Sequence, residues 1–228
     1  MEALVKDVMT TQVMRVKQDT PFAAIAAALR QYRVSAFPVL GEDGRVIGVV
    51  SESDLLDKLA LGGDDHMPGM AGILRHKDLE KARGITAADL MTAPPVTVAP
   101  DDTVEHAARL MYLRGVKRLP VIDADGQLAG IVSRTDVLAV YDRPDVEIAE
   151  DIRTSVLSTE EPATPGAFDV AVAEGVVTLT GRPQTREQGH QIVFRARHIE
   201  GVVAVRDRFD YPAPGPDAFD VLARFPAD

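Results

Sequence analysis

Two short stretches of the chain end alike and carry groups that could do chemistry. Residues 130–136 read GIVSRTD, and residues 48–54 read GVVSESD. After an apolar, β-branched pair come Ser133, Arg134, Thr135 and Asp136 in one, and Ser51, Glu52, Ser53 and Asp54 in the other. A strand that leaves a core this way delivers a hydroxyl and, three residues on, a carboxylate. Two chemistries use that spacing. The pair can form a capping box, in which each side chain satisfies a free backbone N–H at a helix start. Alternatively, the carboxylate can accept hydrogen bonds from a vicinal diol while the helix N–H groups favour an anion beside it. Both readings stand at this level. No nucleophile–base pairing and no Gly-rich phosphate loop accompanies either stretch, so no catalytic residue is assigned.

The elements that must position these groups repeat. The two stretches lie 82 residues apart, and the same offset relates Asp7-Val8-Met9-Thr10 to Asp89-Leu90-Met91-Thr92. It also relates Pro38-Val39 to Pro120-Val121 and Asp43-Gly44 to Asp125-Gly126. An ordered series of matches at one period signals a duplicated structural unit. Each unit opens on a short extended stretch, VMRV or VTV. Thr20 and Thr103 stand where helix N-caps belong, and apolar residues at three- and four-residue spacing follow them. A strand with a proline, an Asp-Gly hairpin turn, a return strand and a second helix complete the unit. One unit has too little apolar surface to close a core alone, which predicts that the two pack together.

The set DVMT, FPV and LPV, DG, and G-h-h-S-x-x-D-h-L (h, apolar), in that order, resembles a tandem pair of CBS domains, a Bateman module, over residues 1–142. The implied fold is α+β, with strand-helix-strand-strand-helix units over residues 1–60 and 85–142. The resemblance implies an adenosyl ligand, of the AMP, ADP, ATP or S-adenosylmethionine kind, in the cleft between the motifs. It carries Asp54 with Ser51 to one site and Asp136 with Ser133 to the other, with Ser53 and Thr135 in second rank. Residues 35–38 and 117–120, Ala36 among them, become the walls beside adenine. The copies differ in charge. The second has Lys117, Arg118 and Arg134, cations that can meet phosphate by charge-assisted hydrogen bonds, although a solvated face would explain them too. The first has Ser35, Ala36 and Glu52 there, and a carboxylate beside phosphate repels by more than about 1 kcal/mol when water is partly excluded. The Asp136 site is therefore expected to take phosphorylated ligands. The resemblance also implies a homodimer through helix faces, and no cofactor.

Residues 61–84 read as a Gly-rich linker ending in a short polar helix, ILRHKDLEKAR. Asp64, Asp65 and His66 are too close in sequence to converge on one ion without outside help, and the other histidines lack zinc-type spacing, so no metal site is expected. Pro144 ends the second unit, and Asp145 can cap a helix whose apolar face is Val146, Ile148, Ile152, Val156 and Leu157. The stretch VAVAEGVVTLTG reads as a hairpin with its turn at Glu174-Gly175. A helix containing Ile192, Val193, Ala196 and Ile199 follows, and then the strand GVVAVRDRFDY. With VAEGVVTLTG and IEGVVAV as its marks, this order resembles a BON domain over residues 145–211, a small α/β sandwich. There Gly175 and Gly181 serve turns, and Gly201 ends the helix. Residues 212–228 form a Pro-rich tail.

Bulk properties narrow the function. A formal charge of −10 argues against nucleic acid as a partner, since binding it needs a positive footprint. The chain has no cysteine, its opening residues do not read as a signal peptide, and no apolar run reaches the length of a membrane span, which together predict a cytoplasmic protein. BON domains are often implicated in binding phospholipid. Residues 145–228 hold fifteen acids against eight bases, which an anionic bilayer would repel unless Arg182, Arg186, Arg195, Arg197, Arg206 and Arg208 form a patch. The leading reading is a non-catalytic sensor whose CBS pair binds an adenosyl ligand and transmits occupancy to the BON domain or a partner. The alternative is a stress- or envelope-associated phospholipid-binding protein in which the CBS pair is a dimerisation platform.

Overall fold

The computed structural model describes residues 3–61, 84–158 and 168–211. Two compact units divide the chain, one spanning Ala3–Ala139 and the other running on from Val140. The linker helix, the Asp64–Asp65–His66 group and the tail lie outside the described residues.

In the first unit the elements run α1 (Val5–Val8), β1 (Val16–Lys17), α2 (Phe22–Tyr32), β2 (Ala36–Leu40), β3 (Val46–Ser51) and α3 (Glu52–Leu61). The second copy supplies α4 (Ala87–Leu90), α5 (Val104–Arg114), β4 (Arg118–Ile122), β5 (Leu128–Ser133) and α6 (Arg134–Ala139). The hairpins β2–β3 and β4–β5 are antiparallel, and each slips register one step before its Asp-Gly turn, between Val39 and Leu40 and between Val121 and Ile122. Gly44 and Gly126 both sit at φ 80°, which only glycine adopts without strain. Of the two opening stretches, only the last residue of VMRV, Val16, enters the two-residue strand β1 with Lys17, and VTV reduces to one bridge from Val98 to Val121.

Each repeat lends its opening segment to the other. The backbones of Thr10 and Ile131 exchange hydrogen bonds of 3.0 Å in both directions, and Thr92 and Val49 do the same at 2.8 and 3.1 Å. Helix α1 packs on β5 and α6, and α4 packs on β3 and α3. Ala87 and Leu90 of α4 are consequently buried with Ile25, Phe37, Val39 and Val50 in the first repeat's core. This exchange is why neither repeat is complete alone. Gly48 and Gly130 admit it. A Cβ on Gly130 would stand 2.5 Å from the Met9 sulfur and 3.0 Å from the Thr10 carbonyl oxygen, and one on Gly48 would collide with the Met91 side chain.

Thr103 caps α5 as expected, accepting the His106 N–H at 3.1 Å. Thr20 does not cap α2. Pro21 is the N-cap residue, and the Thr20 hydroxyl accepts the Lys17 N–H instead. A proline at that position needs no donor partner of its own, so the threonine is free to close the preceding turn. At α4 the Asp89 carboxylate accepts from the N–H groups of Ile85 and Thr86 and from the Thr86 hydroxyl, at 2.8–3.0 Å. The Ile85 N–H, the Thr86 hydroxyl and the Thr86 N–H hold this carboxyl below its usual range. Its contribution is therefore present above the unfolded-state value near 4 and is lost as pH falls through the lower native value. Asp89→Ala is expected to cost about 1 kcal/mol at neutral pH. The gap in thermal midpoint between parent and variant should begin to narrow at about pH 4 and close only once the pH has fallen below the lowered native value. A gap that persisted there would rule out the carboxylate charge as its source.

The second unit is built from α7 (Asp145–Ile152) with a π-helical continuation (Arg153–Leu157), β6 (Phe168–Ala173), β7 (Val176–Gly181), α8 (Arg186–Arg197) and β8 (Ala204–Phe209). Its sheet has the order β6-β7-β8, antiparallel and then parallel. Ile148, Ile152, Val156, Val170, Val177, Leu179, Ile192, Ala196 and Ile199 form the core. Three expectations change here. Pro144, not Asp145, is the N-cap residue of α7, and the Asp145 carboxylate crosses to the hairpin turn to accept the N–H groups of Glu174 and Gly175 at 2.8 and 2.9 Å. Val146 lies outside the core, 74% exposed. Gly201, at φ 88°, falls in the turn before β8, because α8 already ends at Arg197 with His198 as its cap residue.

Candidate functional site

The two Ser-x-x-Asp stretches stand at equivalent corners, where a return strand becomes a helix. In β5 the apolar side chains alternate until Val132, which is wholly buried, and Ser133 is the last paired residue, opposite Arg118. The Arg134 N–H then donates to the Lys117 carbonyl at 3.1 Å, so residues 117–118 flank the start of α6. In the first repeat Ser51 pairs with Ala36, and the Glu52 N–H donates to the Ser35 carbonyl at 3.0 Å. The predicted walls and the predicted acidic corners are thus neighbours in both copies.

The carboxylate half of the capping chemistry is realised at both corners, and the reciprocal half is seen at the second. Asp136 Oδ2 accepts from the Ser133 N–H and hydroxyl, each at 2.7 Å, and the Asp136 N–H reaches back to Ser133 Oγ at 3.4 Å. Asp54 Oδ2 accepts from the Ser51 N–H at 2.8 Å and the Ser51 hydroxyl at 2.6 Å. The corners differ at the other carboxylate oxygen. Asp54 Oδ1 accepts from the Thr92 hydroxyl at 3.3 Å, and the residue is 7% exposed. Asp136 is only partly buried, and among the described residues its Oδ1 accepts no hydrogen bond. One oxygen fixes the Asp136 carboxylate in place and the other is available to a diol, so capping and ligand binding are compatible at this corner.

The cations are placed unevenly. Lys117 is exposed at the mouth of the second corner. The Arg134 guanidinium folds back to donate to the Val116 carbonyl at 3.1 Å. Arg118 leaves the second corner altogether at its tip, where its guanidinium donates to the Ser35 hydroxyl of the first repeat's wall. Ser53 and Thr135 are exposed and Ala36 is buried. Sequence reasoning missed Thr92. Its match with Thr10 was visible in the repeat, but its contact with Asp54 arises only from the exchange of opening segments.

Among the described residues no group of three or more His, Asp and Glu could hold a metal ion, and no helix is long and apolar enough to cross a membrane. In the second unit Arg182 pairs with Asp210 at 2.8 Å, Arg186 lies over the Tyr211 ring, and Arg195 donates to the Val156 carbonyl. Three of the six arginines weighed as a basic patch are therefore occupied within their own unit.

With the geometry established, likeness to known proteins adds a second line of observation. The family model of the CBS domain matches residues 5–61 and 87–143, and that of the BON domain matches residues 144–213. An uncharacterized protein of Methanocaldococcus jannaschii, MJ1426, is 31% identical over 150 residues, covering 59% of this chain and 89% of that protein. The chloroplastic CBS domain-containing protein CBSX1 of Arabidopsis thaliana is 32% identical over 133 residues, 54% of this chain and 56% of its own length. Among solved structures, CBSX2 in complex with AMP is 34% identical with a TM-score of 0.52, covering 60% of this chain and 95% of that one. The CBS domain pair of MJ0100, in complex with 5′-methylthioadenosine and S-adenosyl-L-methionine, has a TM-score of 0.51 at 20% identity, a likeness of fold, over 62% of this chain and 98% of that one.

Proposed function

Because the chain belongs to the CBS-domain family, with two repeats followed by a BON domain, we propose that the repeat pair is a regulatory module that binds an adenosyl ligand and passes its occupancy to the BON domain or a partner. The observation that carries this reading is the Asp136 carboxylate, anchored at Oδ2 by Ser133 and open at Oδ1. That oxygen suits the hydroxyl pair of a ribose, and Lys117, with the base of Arg118 alongside, favours phosphate at the same corner. The AMP complex of CBSX2 supports AMP as the first ligand to test. Transmission needs a contact that differs between the empty and occupied states. The Arg118–Ser35 hydrogen bond joins the repeats, and a phosphate drawing Arg118 back to its own corner would release it.

In this reading residues 1–60 and 85–142 are the two motifs, 61–84 connects them, and 145–211 is the BON domain. The reading assigns no catalytic step and no cofactor, and it places the protein in the cytoplasm. It includes a homodimer through the repeat helices, supported by exposed apolar side chains on them: Leu56 and Leu59 on α3, Tyr112 and Leu113 on α5, and Leu138 on α6. Equilibrium sedimentation should return twice the chain mass, and a monomer at micromolar concentration would remove the dimer from the reading.

Isothermal titration of the whole chain with AMP, ADP, ATP and S-adenosylmethionine tests the function. Saturable heats are expected for the phosphorylated ligands, and the weakest for the sulfonium compound, which brings a positive charge to a cationic corner. Absence of saturable heat from all four, together with co-sedimentation on liposomes, would replace this reading with the phospholipid one.

A further inference from the structure

The two corners share a fold and a motif, yet their carboxylates are in different states. We infer that Thr92 is the gate of the first corner, holding Asp54 in a closed state so that the chain takes up one equivalent of ligand rather than two. Asp54 has both oxygens engaged, Oδ2 by Ser51 and Oδ1 by Thr92, and is 7% exposed. Thr10, the counterpart of Thr92, bridges to Ile131 through its backbone and makes no side-chain hydrogen bond among the described residues, and Asp136 Oδ1 accepts none there. The gate is carried by the other repeat. Thr92 lies two residues past the end of α4 and is pinned by its paired bonds to Val49, so its hydroxyl stays over Asp54 as long as the opening segments remain exchanged.

A ribose approaching Asp54 must displace the Thr92 hydroxyl before it gains a hydrogen bond to Oδ1. At the Asp136 corner no hydrogen bond to Oδ1 from the described residues has to be displaced. Removing the Thr92 hydroxyl shifts the balance, because it takes away one protein donor to a poorly hydrated carboxylate oxygen and a ligand hydroxyl can take its place. Glu52 still disfavours phosphate there, so the gain is expected to be largest for adenosine, the uncharged probe.

This inference rests on the adenosyl reading of the family's corners, and the test separates the two. The variants Asp136→Asn and Asp136→Asn/Thr92→Ala are titrated with adenosine and AMP beside the parent. Asp136→Asn alone is expected to bind adenosine weakly or not at all, and the double variant to gain one equivalent with at least about tenfold higher affinity. Thr92→Ser, which keeps the hydroxyl, should match the parent, and Thr92→Val replaces the alanine variant if that one does not fold. Equal adenosine binding with and without Thr92 overturns the gate, as does a parent that takes up two equivalents. A parent that binds nothing while the double variant binds one equivalent overturns the Asp136 reading and upholds the gate.

Discussion

Asp136→Asn is expected to weaken AMP binding by about 30- to 100-fold, while Asp54→Asn changes it by less than about threefold. The magnitude follows from what the amide cannot do. The carboxylate serves two clients at once, with Oδ2 taking the Ser133 N–H and hydroxyl and Oδ1 left for a diol. An asparagine has one acceptor oxygen. If that oxygen stays with Ser133, an NH2 group faces the ligand hydroxyls and must find acceptors on them. If it turns to the ligand, the NH2 meets the Ser133 N–H. Either way one or two charge-assisted hydrogen bonds are lost, each worth about 1.5–3 kcal/mol. The pairing of variants controls for the second job of these residues. Both substitutions weaken a carboxylate that holds the serine N–H and hydroxyl at a helix start, so both should cost about 1 kcal/mol of stability. Only the Asp136 variant should also lose ligand. Calorimetry beside thermal denaturation reads the two effects separately, and equal losses of AMP affinity would leave no asymmetry to explain.

Much of the fold was legible because it is local and repeated. The hairpins announced themselves through Asp43-Gly44 and Asp125-Gly126, and both glycines adopt the positive φ such turns require. The Thr103 cap and the apolar spacing of α2, α5 and α8 were equally local signals. What failed did so where a residue had a choice of partner. Thr20 could cap α2 or close the turn behind it, and Pro21 tipped it to the turn. Asp145 stood where a cap belongs, yet the nearby Glu174-Gly175 turn offered two unpaired N–H groups that a sequence cannot bring into view. Val146 fits a helical apolar stripe, but the core closes around Ile148 and Ile152 without it. The candidate site divides in the same way. Ser133 and Asp136, or Ser51 and Asp54, were readable as pairs because they stand three positions apart. The asymmetry of their second oxygens and the reach of Arg118 to Ser35 depend on one repeat meeting the other.

Gly130→Val is expected to destabilise the repeat unit by about 3 kcal/mol, at the upper end of the range for overpacking. For a unit of this size that is a fall of roughly 10 °C in thermal midpoint. Propensity alone predicts the opposite, since valine is a better strand residue than glycine and the position lies within a six-residue strand. The contacts decide against propensity. A Cβ at this position already stands 2.5 Å from the Met9 sulfur and 3.0 Å from the Thr10 carbonyl oxygen, before the two γ-carbons are added. The sulfur ends a flexible side chain and can move. The carbonyl cannot, because the Thr10 backbone is tied to Ile131 by two hydrogen bonds of 3.0 Å. Relief must come from lifting the whole opening segment, which uncovers Val5, a fully buried residue of α1. Met9→Ala in the same chain should recover only part of the loss, and the remainder measures the carbonyl clash. Gly48→Val should cost less, because the two nearest obstructions, the Met91 sulfur and Cγ, can swing away and the third, Met91 Cβ, stands at 3.1 Å. A neutral or stabilising Gly130→Val would mean that the opening segments are not exchanged, and Thr92 would then have no reason to lie over Asp54.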